Sequence, residues 1–388
     1  MRKHACLLAL TSALTYASVS AQVSITTWNM EHMMSSKVFK EWLAYCEPLG
    51  WVEPAKGVEK PKHLTYCNAL NGRTMSGKPE SLPLHTEFDY AKKLQSLSNA
   101  RMALKSDLFA LQEIGDDVAV SEVFPPAEYD VYFSKPTNPD DTLAQNIAFA
   151  VRKGGKVKVV KAEPYDALGI MSFEGRKIRP GLQLIANVEG TEVAFLNLHL
   201  KAGCRSETLG DESRLHACGD FRKQVHPLEA WVESQAKAKR EFVVLGDWNR
   251  TLLESDLTPE QRQKGTNYDT KHPARMDTKD SATSPLLPTI KVGSLLKEIS
   301  DDEPAGASLV VARSEISARK KTVEGENWDQ VCHLGIDHFA LSPSLANRFS
   351  KQVPIAKGQD YGDSAYARDK ARPSDHCPLT LVIPAAVR

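Results

Sequence analysis

Apolar residues in this 388-residue chain fall mostly in short runs rather than in helical stripes. Ile25-Thr26-Thr27-Trp28 is β-branched and aromatic, which predicts a strand. Residues 31–85 are punctuated by Pro48, Gly50, Pro54, Gly57, Pro61, Gly72, Gly77, Pro79 and Pro83, which predicts irregular chain. Thr86-Glu87-Phe88-Asp89 has the form of a capping box that opens a helix. Ala91, Leu94, Leu97, Leu104 and Leu108 follow at helical spacing. The apolar runs at 108–112, 147–151, 181–188, 192–200, 241–245, 336–341 and 379–383 predict further strands. Pro227 suits the first turn of a helix with Leu228, Trp231, Val232 and Ala236 on one face. A long polar stretch runs from Thr251 to about Ser284. Strands dominate and helices intervene irregularly, so the expected fold is α/β, with sheets packed face to face and helices outside.

Composition changes little in this picture. The chain is 41% hydrophobic and 25% charged, ordinary for a globular protein, which excludes collagen, disulfide miniproteins and disordered chains. Lys+Arg and Asp+Glu both number 49, so global charge does not mark a nucleic-acid binder; only a local basic groove would. Arg152-Lys153 with Lys156 and Lys158, and Lys237 to Arg240, are candidate basic segments.

The first residues read as a targeting segment. Arg2 and Lys3 precede an apolar stretch from Ala5 to Ala17, and Val19-Ser20-Ala21 offers small residues for cleavage after Ala21. No other run approaches the roughly 20 apolar residues of a membrane helix. The expected address is secreted or periplasmic. Cys6 is lost with the leader, leaving Cys46, Cys67, Cys204, Cys218, Cys332 and Cys377, an even set that suits disulfides in an exported chain. Pairing of neighbours predicts Cys46–Cys67, Cys204–Cys218 and Cys332–Cys377. No cysteine pair has zinc-finger spacing.

The chemistry signal is polar residues at the ends of apolar strands. Asn29 and Glu31 follow the first strand, and Glu113 follows 108–112. His199 lies within the strand at 192–200, and Asp247 and Asn249 follow 241–245. Asp337 and His338 follow Ile336, while Asp375 and His376 precede the last strand. Carboxylates and histidines gathered on one rim suit a hard, oxygen-loving metal with acid–base help.

In order, Thr27-Trp-Asn-Met30, Leu111-Gln-Glu113, Asn197-Leu-His-Leu200, Gly246-Asp-Trp-Asn249, Ile336-Asp337 and Ser374-Asp-His376 resemble the endonuclease/exonuclease/phosphatase superfamily, the deoxyribonuclease I-like group. The resemblance spans about residues 23–388. It implies a four-layer sandwich of two packed mixed β-sheets flanked by helices, with the active site at one end. Residues 22–388 would then be a single domain with insertions at about 31–85 and 251–334. By the resemblance Glu113, Asn29 and Asp375 lie at a metal, Mg²⁺ with Mn²⁺ or Ca²⁺ as substitutes. His376 is the essential histidine and Asp337 its partner. Asp247 and Asn249 position the attacking water and a phosphate oxygen. His199, Arg179 and Asn146 contact the substrate phosphate.

The function implied is metal-dependent hydrolysis of DNA or RNA by an exported monomer without a stable protein partner. The alternative in the same superfamily is a phospholipid or inositol-phosphate phosphoesterase; no segment reads as an exposed aromatic hairpin that would insert into a membrane. A silent binding protein on this fold would lack an essential residue, and Glu113, Asp247, Asn249, Asp337 and His376 are all present. A Ser-His-Asp hydrolase would need a Gly-x-Ser-x-Gly elbow before a helix, which the sequence lacks.

Overall fold

A computed structural model describes residues 22–55, 58–71, 83–135, 142–210, 215–257, 259–272, 293–317, 322–323, 326–327, 335–349, 352–359 and 373–384. The leader at 1–21 and Cys332 lie outside the described residues. In chain order the elements begin with β1 (Val23–Met33), α1 (Ser36–Cys46), α2 (Glu87–Leu104), β2 (Leu108–Ile114), α3 (Asp117–Val123), β3 (Tyr129–Phe133) and β4 (Asn146–Arg152). Next come β5 (Val157–Tyr165), β6 (Gly181–Val188), β7 (Thr191–His199), α4 (Leu215–Lys223), α5 (Val225–Lys237) and β8 (Glu241–Asp247). The last part holds α6 (Pro259–Gln263), α7 (Leu295–Ile299), β9 (Val310–Val311), β10 (Arg313–Ser317), β11 (Thr322–Val323), β12 (Glu326–Asn327), β13 (Asp337–Leu341), β14 (Ile355–Gln359) and β15 (Leu379–Ile383).

A seven-stranded sheet has the order β10-β14-β15-β1-β2-β4-β3, and a six-stranded sheet has the order β5-β6-β7-β8-β13-β9. Both are mixed: β1 runs parallel to β2 but antiparallel to β15, and β7 runs parallel to β8 but antiparallel to β6. Their inner faces share one core, with Ile25 and Phe149 from the first sheet against Leu184, Phe195, Leu245 and Phe339 from the second. On the outer face of the first sheet, Trp28, Phe109 and Leu111 pack against Leu97 of α2 and Val120 of α3. On the outer face of the second, Leu196, Leu198 and Val244 pack against Leu228, Trp231 and Val232 of α5. Helix, sheet, sheet, helix is the expected four-layer order. Strands buried on both faces read as continuous apolar runs, which is why 108–112 and 241–245 were legible.

The insertion after β1 differs from expectation. It contains α1, capped by Ser35, whose hydroxyl accepts from the Val38 N–H. Phe39, Trp42 and Cys46 of α1 pack with Leu64, Cys67 and Tyr90 in a small core of their own. The Cys46–Cys67 and Cys204–Cys218 disulfides are both present as expected. Cys377 is also disulfide-bonded. Thr86 caps the helix as expected, with the Asp89 N–H donating to its hydroxyl and that hydroxyl donating to Asp89 Oδ2. The helix it opens stops at Leu104, where Lys105 turns left-handed (φ 52°), and Leu108 begins a strand rather than a fifth helical position. No helix among the described residues is long and apolar enough to cross a membrane.

Candidate active site

Strand register brings the polar strand ends to one edge. His199, the last residue of β7, is level with Asp247, the last of β8, and Asp247 is level with Asp337, the first of antiparallel β13. In the other sheet Asn29 is level with Gln112. Asp375 and His376 precede β15, which runs antiparallel to β1 and so starts at the same edge.

At the centre His376 Nδ1 lies 2.7 Å from Asp337 Oδ2, and His376 Nε2 lies 3.9 Å from Asp247 Oδ2. All three residues are buried, and they offer ligand-type atoms within 4.8 Å of one another. Burial alone would drive the His376 imidazolium down. The charge of Asp337, its hydrogen bond, and the charges of Asp375 and Asp247 reverse this and hold it well above its usual value. His376 is therefore an imidazolium at neutral pH, and the cation between these two carboxylates is the ring itself. Burial, and then the neighbouring Asp337 charge, push Asp247 up to about 7. His376, the Asn249 backbone N–H and the Asn29 amide restrain that rise.

His199 faces this group from the second sheet. Its Nε2 is 3.4 Å from Asp247 Oδ2, 3.9 Å from Glu113 Oε1 and 3.3 Å from an Arg179 nitrogen. Burial and then the Arg179 charge, with smaller pushes from His376 and His32, hold the ring well below its usual value, so it is neutral. The Arg179 guanidinium and the carboxylates of Asp247 and Glu113 all face the same ring nitrogen. The other Arg179 fork nitrogen donates to Gln145 Oε1 at 3.0 Å. The amide nitrogen of Gln145 lies 3.0 Å from His32 Nδ1, and His32 Nε2 lies 3.5 Å from Glu113 Oε2. Glu113 Oε2 also accepts the His32 backbone N–H at 3.1 Å.

His32 and Gln145 are site residues that the sequence reading missed. Glu31 and His32 take left-handed backbone (φ 48° and 51°) in a bulge that shifts the β1–β2 register, and Glu113 does the same opposite them (φ 57°). Such a bulge re-aims side chains at a strand end. It is fixed by the fully buried Lys93 ammonium, 2.7 Å from Glu31 Oε2. The signal in sequence was a charged residue within the helical run of α2.

The remaining expected residues divide. Asn29 donates its amide to Asp247 Oδ2 at 3.0 Å and accepts the Glu31 N–H on its oxygen at 3.0 Å. In this way Asn29, the asparagine expected near the metal, also orients Asp247. Asn249 donates to the Leu200 carbonyl at 3.0 Å, and its own N–H caps Asp247 Oδ1 at 2.8 Å. Asp375 is partly buried and lies within electrostatic reach of both His199 and His376. Asn146, expected to contact substrate, lies at the start of β4 beside the end of β2. Its amide donates to the carbonyls of Leu143, Gly115 and Ile114, at 2.9, 3.2 and 3.3 Å, so it braces the end of β2 behind Glu113.

Beneath the site a buried polar bridge joins the sheets. Gln112 donates to Asn197 Oδ1 at 2.8 Å, and Asn197 donates to the carbonyls of Leu111 and Ala148 at 3.1 and 2.9 Å. Trp28 donates to the His376 carbonyl at 3.2 Å, and the Ser374 hydroxyl to the Asn29 carbonyl at 2.6 Å. These bonds set the height of His376 over the cluster. Gly246 precedes Asp247 at φ 136°, and a Cβ there would sit 2.0 Å from the Leu198 carbonyl oxygen, so only glycine lets β8 approach β7 this closely.

No family model matches the chain, and no curated protein matches it. Solved structures do. An endonuclease/exonuclease/phosphatase from Bacteroides vulgatus is similar at 12% identity, covering 93% of this chain and 98% of that one, with a TM-score of 0.47. A family protein of that description from Bacteroides thetaiotaomicron is similar at 13% identity, covering 95% and 99%, with a TM-score of 0.43. The human Nocturnin catalytic domain is similar at 15% identity, covering 94% and 95%, with a TM-score of 0.39. The fold and the site rest on the strand order, layers and distances given above.

The rim holds a further departure from expectation. Residues 171–177 form a hairpin, bridged between Met171 and Lys177, that exposes Met171 and Phe173. The basic segments singled out in the sequence are engaged elsewhere: Lys153 pairs with Asp130, Lys237 with Glu233 and Arg240 with Glu192.

Proposed function

We propose that this chain is an exported, divalent-metal-dependent phosphodiesterase of the endonuclease/exonuclease/phosphatase superfamily that cleaves nucleic acid by water attack at phosphorus. The observation that carries the reading is the buried row His199–Asp247–Asp337, with His376 between two carboxylates and Glu113 and Arg179 facing it. A phosphodiester is an anion, and its transition state gathers charge on the phosphoryl oxygens. Arg179 and the His376 imidazolium supply fixed positive charge for those oxygens. With its proton already in place, His376 serves as acid or electrostatic partner, and Asp337 holds the ring. Asp247, balanced near neutral pH and oriented by Asn29 and the Asn249 N–H, takes the proton of the attacking water. Neutral His199 lines the pocket beside Arg179.

The residues fit a hard cation at one place in particular. Asp247, Asp337 and His376 offer ligand-type atoms within 4.8 Å of one another, and buried Asp337 Oδ1 has no hydrogen-bond partner among the described residues, which suits a cation at this edge. Glu113 and Asp375 are the carboxylates the resemblance puts at the metal, and Glu113 sits at the rim with a side chain 17% exposed. These residues would hold Mg²⁺, or Mn²⁺ or Ca²⁺ in its place, and the ion would supply positive charge to the phosphate. Export is supported by the leader pattern and the disulfides, which persist in oxidising compartments. The test is nicking of supercoiled plasmid by the mature protein with Mg²⁺. EDTA and His376→Ala are each expected to abolish it. Preferential turnover of phospholipid vesicles, or nicking that survives His376→Ala, contradicts the reading.

A further inference from the structure

The insertion after β1 and the 171–177 hairpin meet at the edge of the site. The Tyr66 hydroxyl lies 2.6 Å from an Arg176 nitrogen, and Arg179 lies within electrostatic reach of Tyr66. Tyr66 is 40% exposed, yet its backbone is fixed three ways. Buried Trp42 donates to the Tyr66 carbonyl at 3.1 Å, Cys67 is tied to α1, and the Thr65 hydroxyl lies 2.8 Å from His32 Nδ1. Arg176 bonds the hydroxyl with its guanidinium carbon 5.8 Å from the ring centroid, and Lys60 Nζ stands 4.6 Å from that centroid.

Across the hairpin Phe173 is 60% exposed. Its N–H is held by both oxygens of buried Asp220, at 2.9 and 3.0 Å. Lys223 pairs with Asp220 at 2.8 Å and stands 5.6 Å from the Phe173 ring. Lys201 lies within electrostatic reach of Arg176 and Arg179. The carboxylates here are Glu174, paired with Arg176, Asp220, paired with Lys223, and Glu53, paired with Lys60. Basic side chains outnumber them.

Two exposed aromatic rings held by buried anchors, interleaved with cations and leading to a phosphodiester site, fit one kind of ligand. We propose that a single strand of nucleic acid runs from the catalytic cluster over the 171–177 hairpin, with phosphates on Arg179, Lys201 and Arg176 and bases on Tyr66 and Phe173. Unpaired bases offer π-faces to such rings, whereas duplex bases are stacked on one another. Rings already fixed in place lose little freedom on binding. The proposal rests on the nucleic-acid reading above and adds strand form to it.

The experiment is fluorescence anisotropy in EDTA, so that binding is read without turnover. The probes are a labelled mixed-sequence single strand of about 12 nucleotides, the same strand lacking bases, its duplex, and anionic phospholipid vesicles. The single strand is expected to bind more tightly than the other three. Tyr66→Ala and Phe173→Ala should each weaken it about 5- to 100-fold, the worth of one base–aromatic stack. Neither variant should change binding of the baseless strand, and Tyr66→Phe should keep most of the affinity. Arg176→Ala should weaken both strands and reduce the salt slope by about 0.7. Equal or tighter binding of duplex or vesicles overturns the proposal. So do Tyr66→Ala and Phe173→Ala variants that bind as the parent does, or equal losses on the baseless strand. Plasmid nicking without single-strand preference sinks this proposal alone. Single-strand preference without phosphodiester cleavage sinks the hydrolase reading alone.

Discussion

Replacing Asp337 by Asn isolates the feature on which the chemistry turns. The substitution keeps shape and a hydrogen-bonding oxygen but removes the charge 2.7 Å from His376 Nδ1. Both side chains are almost fully buried, so water screens the pair little. A hydrogen bond to a charged group contributes about 1.5–3 kcal/mol. At 1.4 kcal/mol per tenfold, the proton affinity of His376 should fall about 10- to 100-fold. The assay is a pH titration of the His376 ring by ¹⁵N NMR in EDTA, parent beside variant. Linkage gives a second readout with a definite sign. The raised His376 value stabilises the fold fully below about pH 6.5, and that contribution is lost as pH rises through the folded value. The stability advantage of the parent over Asp337→Asn should therefore shrink at alkaline pH. A His376 titration that Asp337→Asn leaves in place would refute the reasoning.

Three further outcomes follow from the same structure. Asp247 is held up near 7 by burial, so its ionised form is unfavourable in the fold; Asp247→Asn should stabilise the metal-free protein on the order of 2 kcal/mol at pH 8 by urea unfolding while abolishing hydrolysis. Asp269 is fully buried, lies 2.6 Å from buried Arg250, and accepts the N–H groups of Leu295 and Leu296; Asp269→Ala should cost about 3–5 kcal/mol in the same assay by leaving that guanidinium unpaired. Gly246→Ala forces β8 from β7 at the Leu198 carbonyl and should lower both the melting temperature and Asp247-dependent activity, whereas a variant melting within 2 °C of the parent would contradict the fit.

What the sequence disclosed was the part written as local pattern. Apolar runs buried on both faces of a sheet announced β2, β7 and β8, and the polar residue ending each run named Glu113, His199 and Asp247. Register then follows from pairing, which is why ends distant in the chain meet at one edge. The edge strands β3 and β5 were missed because half-exposed positions dilute their apolar signal. Helix α1 was hidden by the prolines and glycines after it, although Ser35 and the Phe39, Trp42, Cys46 spacing mark it. His32, Gln145, Tyr66 and Arg176 reach the site from a bulge, a loop, a disulfide-pinned insertion and a hairpin, where no periodicity reports position. Asn29 and Asn146 were read from the resemblance; their hydrogen bonds, one to a carboxylate and the other to a strand end, are tertiary and leave no mark in the sequence.

The central claim is that water attacks phosphorus in the pocket formed by Asp247, His376 and Glu113. Its most direct test is cleavage of a single-stranded oligonucleotide with Mg²⁺ in ¹⁸O-labelled water, followed by mass spectrometry of the products. The account predicts one labelled oxygen in each new terminal phosphate, no product with EDTA, and none with His376→Ala. Cleavage without label in the phosphate, or no cleavage by folded, metal-supplied protein, would contradict it.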